Sequence, residues 1–219
     1  MAILDRYFTK IEARPLSVSK TSFLLLGYFD TKRELASILS TMGRKMSSAC
    51  EIHISIKDVT SEKVVDEVSF PVIGKDKGEF RGEKFTFSDH AENMLFIGKY
   101  FDIPDHKDHA AHTRYFAEFV LQADDKRESV IISYFSSMNE FVQIFFEVGK
   151  KIRGDGVLQF SIRNLNSPTK NLISTVYKCY QDGRVLVPDL EPHYINLKEK
   201  AAVQHYALFL WETSLSCIY

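Results

Sequence analysis

The chain has few of the features that mark small secreted proteins or membrane proteins. Its 219 residues include only three cysteines, Cys50, Cys179 and Cys217. An odd number at wide spacing predicts neither a disulfide framework nor a Cys-x-x-Cys metal site. No apolar run approaches the roughly 20 residues that span a bilayer, and no basic-then-apolar leader opens the sequence. We therefore expect a soluble, cytoplasmic protein in which Cys50 and Cys179 are buried in strands.

The chain also lacks an excess of either charge and lacks the common catalytic motifs. Its 28 basic and 29 acidic residues give a formal net charge of −1, which excludes gross attraction to nucleic acid or acidic membranes but permits a local patch. There is no Gly-x-Ser-x-Gly elbow and no dinucleotide-binding glycine fingerprint. The glycine-spaced segment 74–84 has no P-loop ending, so we expect an exposed hairpin connection there. These absences favour a non-enzymatic protein.

What the chain does contain is a resemblance between its two halves. Residues 22–58 align without a gap on residues 128–164 at an offset of 106, with eight identities in 37 positions. A shorter match of residues 6–8 on 114–116 has an offset of 108. The apolar positions also agree, at a spacing that forms one helical stripe in each copy: Leu35, Ile38, Leu39, Met42 and Met46 match Phe141, Ile144, Phe145, Val148 and Ile152. We interpret this pattern as an internal duplication.

Each copy predicts a helix between strands. Thr31 with Glu34, and Ser137 with Glu140, form the hydroxyl-then-carboxyl signature that caps a helix start. A glycine and two basic residues close each helix, where cations suit the helix dipole. The sequence therefore predicts an α+β protein of two related modules, residues 1–103 and 104–219, packed as one globular unit. Each module is expected to be an antiparallel sheet packed on an amphipathic helix.

Two segments fit both a helix and a strand. Residues 104–123 alternate like a strand but also share a helical face, and we favour a helix because Asp102 and Pro104 are ordinary start signals. Residues 197–215 are apolar all round towards their end, which suits a buried helix or a buried strand. Their beginning looks helical.

A histidine cluster is the one concentration of candidate chemistry. His106, His109 and His112 lie near Asp105 and Asp108, and imidazole and carboxylate are the usual ligands of zinc and similar ions. If they lie on a helix, however, the outer two histidines stand about 9 Å apart along its axis, too far for easy convergence on one metal. The alternatives are carboxylate–imidazole pairs four residues apart or a pH-responsive contact. The metal interpretation predicts a metal-dependent hydrolase, and otherwise we expect no cofactor.

Paired basic positions offer a second candidate site. Arg44 and Lys45 end the first predicted helix, and Lys150, Lys151 and Arg153 end the second. Two related basic patches would suit a nucleic-acid backbone. Cations in a last helical turn are also simple partners of the helix dipole, which is the interpretation we favour.

One difference between the copies predicts a protein interface. Ser40 corresponds to Phe146, on a face that the sequence pattern assigns to solvent, and Val142 widens the apolar arc beside it. Such an arc is expected to be buried against the other half or another subunit. We therefore expect a binding or assembly protein that acts through protein contacts and self-associates. The alternatives are the metal-dependent enzyme and the nucleic-acid-binding protein.

Overall fold

The structure, a computed structural model, describes residues 6–16, 21–46, 48–73, 76–103, 115–166, 171–188 and 193–215. The chain divides into two compact units, residues 1–113 (unit 1) and 114–219 (unit 2). Both units contain strands and helices, which confirms the α+β class. None of the helices in the described ranges has the length and apolar character needed to span a bilayer.

Unit 1 is an antiparallel sheet with two helices. Its elements are β1 (Tyr7–Pro15), β2 (Thr21–Phe29), α1 (Lys32–Lys45), β3 (Cys50–Asp58), β4 (Val64–Ile73), β5 (Lys77–Phe80), β6 (Glu83–Thr86) and α2 (His90–Tyr100). The strand order is β2-β1-β3-β4-β5-β6. The predicted hairpin at 74–84 corresponds to β5 and β6, although Gly74 and Lys75 lie outside the described residues.

Unit 2 repeats this order of elements. It contains β7 (Tyr115–Ala123), β8 (Glu128–Phe135), α3 (Met138–Lys151), β9 (Gly156–Asn164), β10 (Asn171–Cys179), β11 (Arg184–Leu186), β12 (Tyr194–Asn196) and α4 (Lys200–Leu210), followed by a π-helical turn, Trp211–Leu215. The strand order is β8-β7-β9-β10-β11-β12. α3 and β9 lie 106 positions after α1 and β3, and β7 lies 108 positions after β1, the same offsets as in the sequence.

The predicted capping signatures of α1 and α3 are confirmed. The Thr31 hydroxyl accepts the Glu34 N–H at 3.2 Å, and the Glu34 carboxylate accepts the Asp30 N–H at 2.7 Å. Ser137 and Glu140 make the same two bonds in unit 2. These bonds satisfy backbone donors that a helix start leaves without intrahelical partners. The basic residues also occupy the last turns of both helices as predicted.

The core of each unit lies between the sheet and its helices. Alternate residues of β1 are buried, which marks one face of the strand as the inner one. α1 lies against this face, because a Cβ on Gly27 of β2 would come within 2.9 Å of Ile38. Phenylalanines fill much of both cores. Phe70, Phe85, Phe87 and Phe96 make edge and stacked contacts in unit 1, as do Phe119, Phe135, Phe141, Phe145 and Phe160 in unit 2.

The helix that we favoured at 104–123 is wrong for its described part. Residues 115–123 form β7, which pairs along its length with β8 on one side and β9 on the other. Tyr115, Phe119 and Leu121 are buried on the inner face. Two neighbouring strands satisfy the backbone groups of both edges, so the alternating pattern outweighs the local start signals. Residues 104–114 lie outside the described residues. The ambiguous C-terminal segment is helical from Lys200.

Candidate interaction surfaces

The predicted metal cluster cannot be placed in the fold. His106, His109 and His112, with Asp105 and Asp108, lie outside the described residues. In the part of the chain that the structure describes, no group of three His, Cys, Asp or Glu side chains is arranged to hold a metal ion. The metal-dependent enzyme therefore stays a prediction from the sequence.

The described thiols are not set up for nucleophilic chemistry. Cys50 and Cys179 are buried in strands, as predicted. Burial raises the pKa of the Cys50 thiol to about 11, and burial is also the main cause that raises the pKa of Cys179. A thiol attacks as its thiolate, so neither group is activated near neutral pH.

The basic residues that end α3 lie beside a half-buried aromatic ring. Lys150 is exposed, forms an ion pair with Glu147, and places its Nζ 4.4 Å from the centre of the Phe146 ring. Lys151 is half-buried and Arg153 is exposed. This surface therefore mixes a carboxylate and a ring with its cations.

The exposed face of α1 is more uniform in its charge. Arg33, Ser37, Arg44 and Lys45 are exposed on this helix, and Thr41 is half-buried among them. The Arg44 guanidinium donates to the Thr41 hydroxyl at 3.1 Å. The Ser37 hydroxyl donates to the Arg33 carbonyl oxygen at 3.1 Å. Cations and hydroxyls thus share one side of α1, and the one carboxylate beside them, that of Glu34, accepts the Asp30 N–H in the helix cap.

The solvent-facing position that we assigned to Ser40 is wrong. Ser40 is only 1% exposed, because α2 packs against that side of α1. The Asn93 side-chain amide donates to the Ser40 hydroxyl at 3.1 Å and to the Phe87 carbonyl oxygen at 2.9 Å. In unit 2, α4 packs on α3, Val142 is 4% exposed and Phe146 is half-buried. The apolar pattern of the sequence does not predict α2, because the buried face of this helix consists of only three residues, one of them polar.

Each unit leaves a long strand edge without a partner strand in the described residues. β5 pairs with β4 only at Val72 and Ile73, so the outer edge of β4 from 64 to 71 has no strand beside it within the described ranges. β11 pairs with β10 only at Cys179, so the outer edge of β10 from 171 to 178 also has no strand beside it within the described ranges. We call these segments the β4 edge and the β10 edge. Natural proteins usually shorten, cover or charge such edges, because their backbone groups invite pairing.

Both edges carry exposed apolar side chains. Val64 and Val65 on the β4 edge are 51% and 43% exposed, and Val176 on the β10 edge is 60% exposed. Val157 is also exposed and lies diagonally across from Val176 on the neighbouring strand, β9. Exposed valines on an open strand edge form a surface suited to another strand.

The charges on the two edges are opposite. The β4 edge carries Asp66 and Glu67, whereas the charged residue of the β10 edge is Lys178. Desolvation raises the pKa of Asp66, and the nearby Asp102 carboxylate adds to the shift, although the Asp102 N–H opposes it by donating to Asp66 at 3.1 Å. The ionised form of Asp66 is therefore disfavoured in the folded chain.

A serine–histidine–carboxylate chain lies on the outer face of β3 and β4. His53 Nδ1 is 2.8 Å from the Ser69 hydroxyl, and His53 Nε2 is 3.0 Å from the Glu67 carboxylate. Acyl-transfer enzymes use the same residue types. Here, however, His53 and Ser69 are a directly opposed cross-strand pair, in which such bonds stabilise a sheet. We interpret the group as a polar contact that fixes the register of β4.

Comparisons with protein-family models, with curated proteins and with solved structures found no match for this chain.

Proposed function

We propose that this protein is a non-enzymatic assembly protein that binds further copies of its own chain through the β4 and β10 edges. The observation that carries the proposal is the pair of strand edges, one in each unit, each about eight residues long, with Val64 and Val65 exposed on the β4 edge and Val176 on the β10 edge. Antiparallel pairing would satisfy the backbone groups of both edges and cover the valines.

A second copy of the chain is the partner that the charges favour. The acidic β4 edge and the β10 edge with Lys178 are complementary, and each chain carries one of each. When the inner faces of the two sheets are kept on the same side, Glu67 and Lys178 share the outer face, and the antiparallel registers that suit the charges place Glu67 opposite Lys178 or diagonal to it. Opposite charges at either position stabilise a strand pair.

Pairing β4 of one copy with β10 of the next is a head-to-tail contact. Each added copy presents an unused edge of the other kind, so the assembly grows until it closes into a ring or continues as a filament. The two units are then equivalent halves of one building block. We infer that they arose by internal duplication, which is supported by their shared order of elements and by the offsets of 106 and 108.

Light scattering coupled to size exclusion tests the proposal with three variants. Val65→Lys brings a like charge against Lys178, and Val176→Glu brings a like charge against Glu67. Both side chains are already exposed, so the fold should tolerate both variants. Leu95→Lys is the matched control, because Leu95 is 76% exposed and lies on a helix, α2, rather than on a strand edge. We expect a wild-type mass above the 25.2 kDa of one chain, a monomer for either edge variant, and no change for the control. A monomeric wild type at concentrations of tens of micromolar would refute the proposal.

A further inference from the structure

We propose that the exposed face of α1 binds the phosphate backbone of nucleic acid without reading its sequence. Arg33, Ser37, Thr41 and Arg44 follow one another at intervals of four, four and three residues, which keeps them on one side of the helix. By helical rise, the two arginines lie about 16 Å apart along the axis. Guanidinium groups and hydroxyls are common partners of phosphate oxygens.

Among the residues that the structure describes, no anion pairs with either arginine of this face. Neither Arg33 nor Arg44 forms an ion pair with any described residue, whereas Arg127 and Arg184 are paired with Asp125 and Asp182. The one carboxylate of α1, that of Glu34, is half-buried and accepts the Asp30 N–H in the helix cap. The positive charge on this face therefore stays available to an external anion.

The helix dipole does not account for this face. It favours Arg44 and Lys45 in the last turn, but it disfavours Lys32 and Arg33 in the first turn, where the helix end is already positive. A cation that is unfavourable for the helix itself points to a partner outside the helix.

The matching helix of unit 2 shows that the fold does not require the cations. The positions of α3 that correspond to Arg33, Ser37 and Thr41 hold Asn139, Gln143 and Glu147. α3 nevertheless has the same length and the same cap. Arg44 and Lys45 do have cationic counterparts in Lys150 and Lys151, so it is the first-turn cation and the two hydroxyls that are properties of unit 1 alone.

Nucleic acid fits this face better than a membrane surface does. Helices that bind in the plane of a bilayer insert large apolar side chains beside their cations. The exposed side of α1 has arginine, lysine, serine and threonine beside the half-buried Glu34, and the apolar residues of the helix are buried in the core of unit 1. Its surface can contact phosphates, but it has no side chain to insert.

Fluorescence anisotropy over a series of salt concentrations tests the inference with labelled duplex DNA, labelled single-stranded DNA and vesicles containing anionic lipid. The test variant is Arg33→Gln with Arg44→Gln. The control is Arg127→Gln with Arg184→Gln, which removes the same charge from two exposed positions of unit 2. The Val176→Glu variant serves as background, so that failure of the assembly proposal does not affect the result.

We expect the parent protein to bind DNA with an affinity that falls steeply with salt. Loss of two phosphate contacts should lower the slope of log K against log salt by about 2 and weaken binding at least tenfold at low salt. The control variant should bind like its parent. Equal losses in both double variants would show that bulk charge alone is responsible, and binding to vesicles but not DNA would assign the face to a membrane. Either result, or no binding of DNA by the parent, would overturn the inference.

Discussion

Gly43 of α1 lies directly against the main chain of Phe87, the residue two positions before the cap of α2. A Cβ on Gly43 would lie 2.5 Å from the carbonyl carbon and oxygen of Phe87. Gly149 of α3 has the same relationship to Leu197, which precedes α4 by a similar stretch. In both units, the glycine near the end of the first helix lets the chain pass closely before the second helix begins.

Gly43→Ala is expected to destabilise the protein by about 1–3 kcal/mol, because the new methyl group meets backbone that cannot move aside cheaply. Gly98→Ala is the matched control, since Gly98 is an exposed glycine of α2 and a Cβ there meets nothing within 4 Å. The control should gain up to about 1 kcal/mol from helix propensity. Urea unfolding measures both free energies, and a stabilised Gly43→Ala variant would disprove the close approach.

Ser40 and Asn93 are expected to be energetically coupled. Asn93→Val removes the amide that donates to Ser40 and to the Phe87 carbonyl oxygen inside a fully buried contact. We expect a cost of about 1–3 kcal/mol for this variant. Ser40→Ala should destabilise the Asn93→Val variant less than it destabilises the wild type. The coupling free energy from the double-mutant cycle should be at least about 0.5 kcal/mol. Additive losses would mean that the hydrogen bond between α1 and α2 contributes nothing.

Local signals in the sequence were enough to predict α1 and α3. Their caps, apolar stripes and last-turn cations all lie within 16 residues of chain, and the structure contains each of them. β7 was misassigned because its helical and alternating patterns are both complete, and only pairing with β8 and β9 decides between them. α2 was missed because its buried face is short and includes Asn93, although Asp89 and Glu92 form a capping signature.

The candidate surfaces were predictable only in part. Arg44 was found from its place at the end of a helix, but Arg33 was not, because its alignment with Arg44 matters only once the helix bounds are known. The open edges of β4 and β10 could not be predicted from the sequence. They result from how far β5 and β11 extend beside β4 and β10, and pairing between strands is not set by local residue patterns.

Asp66→Asn is expected to stabilise the folded chain at neutral pH. Because the pKa of Asp66 is raised in the folded state, the folded chain binds more protons than the unfolded chain just above pH 4, and stability falls as the pH rises through this window. The variant should therefore be more stable than its parent at pH 7, with a difference that disappears near pH 3.5. Urea unfolding at both pH values, in the Val176→Glu background, gives the comparison.

Asp182→Asn is expected to change the stability of the fold in the opposite direction to Asp66→Asn. The Arg184 N–H lowers the pKa of Asp182, so the ionised carboxylate stabilises the fold above pH 4 and this contribution is lost as the pH falls. Its variant should be slightly less stable than the parent at pH 7 and equal to it at low pH. A shift in the same direction for both variants would contradict the assignment of the Asp66 pKa to desolvation.

The head-to-tail contact predicts that two blocked variants rescue each other. Val65→Lys keeps an intact β10 edge, and Val176→Glu keeps an intact β4 edge, so a mixture of the two should form a one-to-one dimer while each remains monomeric alone. The dimer cannot grow, because both of its remaining edges are blocked. Light scattering of the mixture, with Leu95→Lys mixed with either variant as a control, measures the mass directly. If β4 instead pairs with β4, the Val176→Glu variant will form a dimer by itself, and the head-to-tail arrangement is wrong.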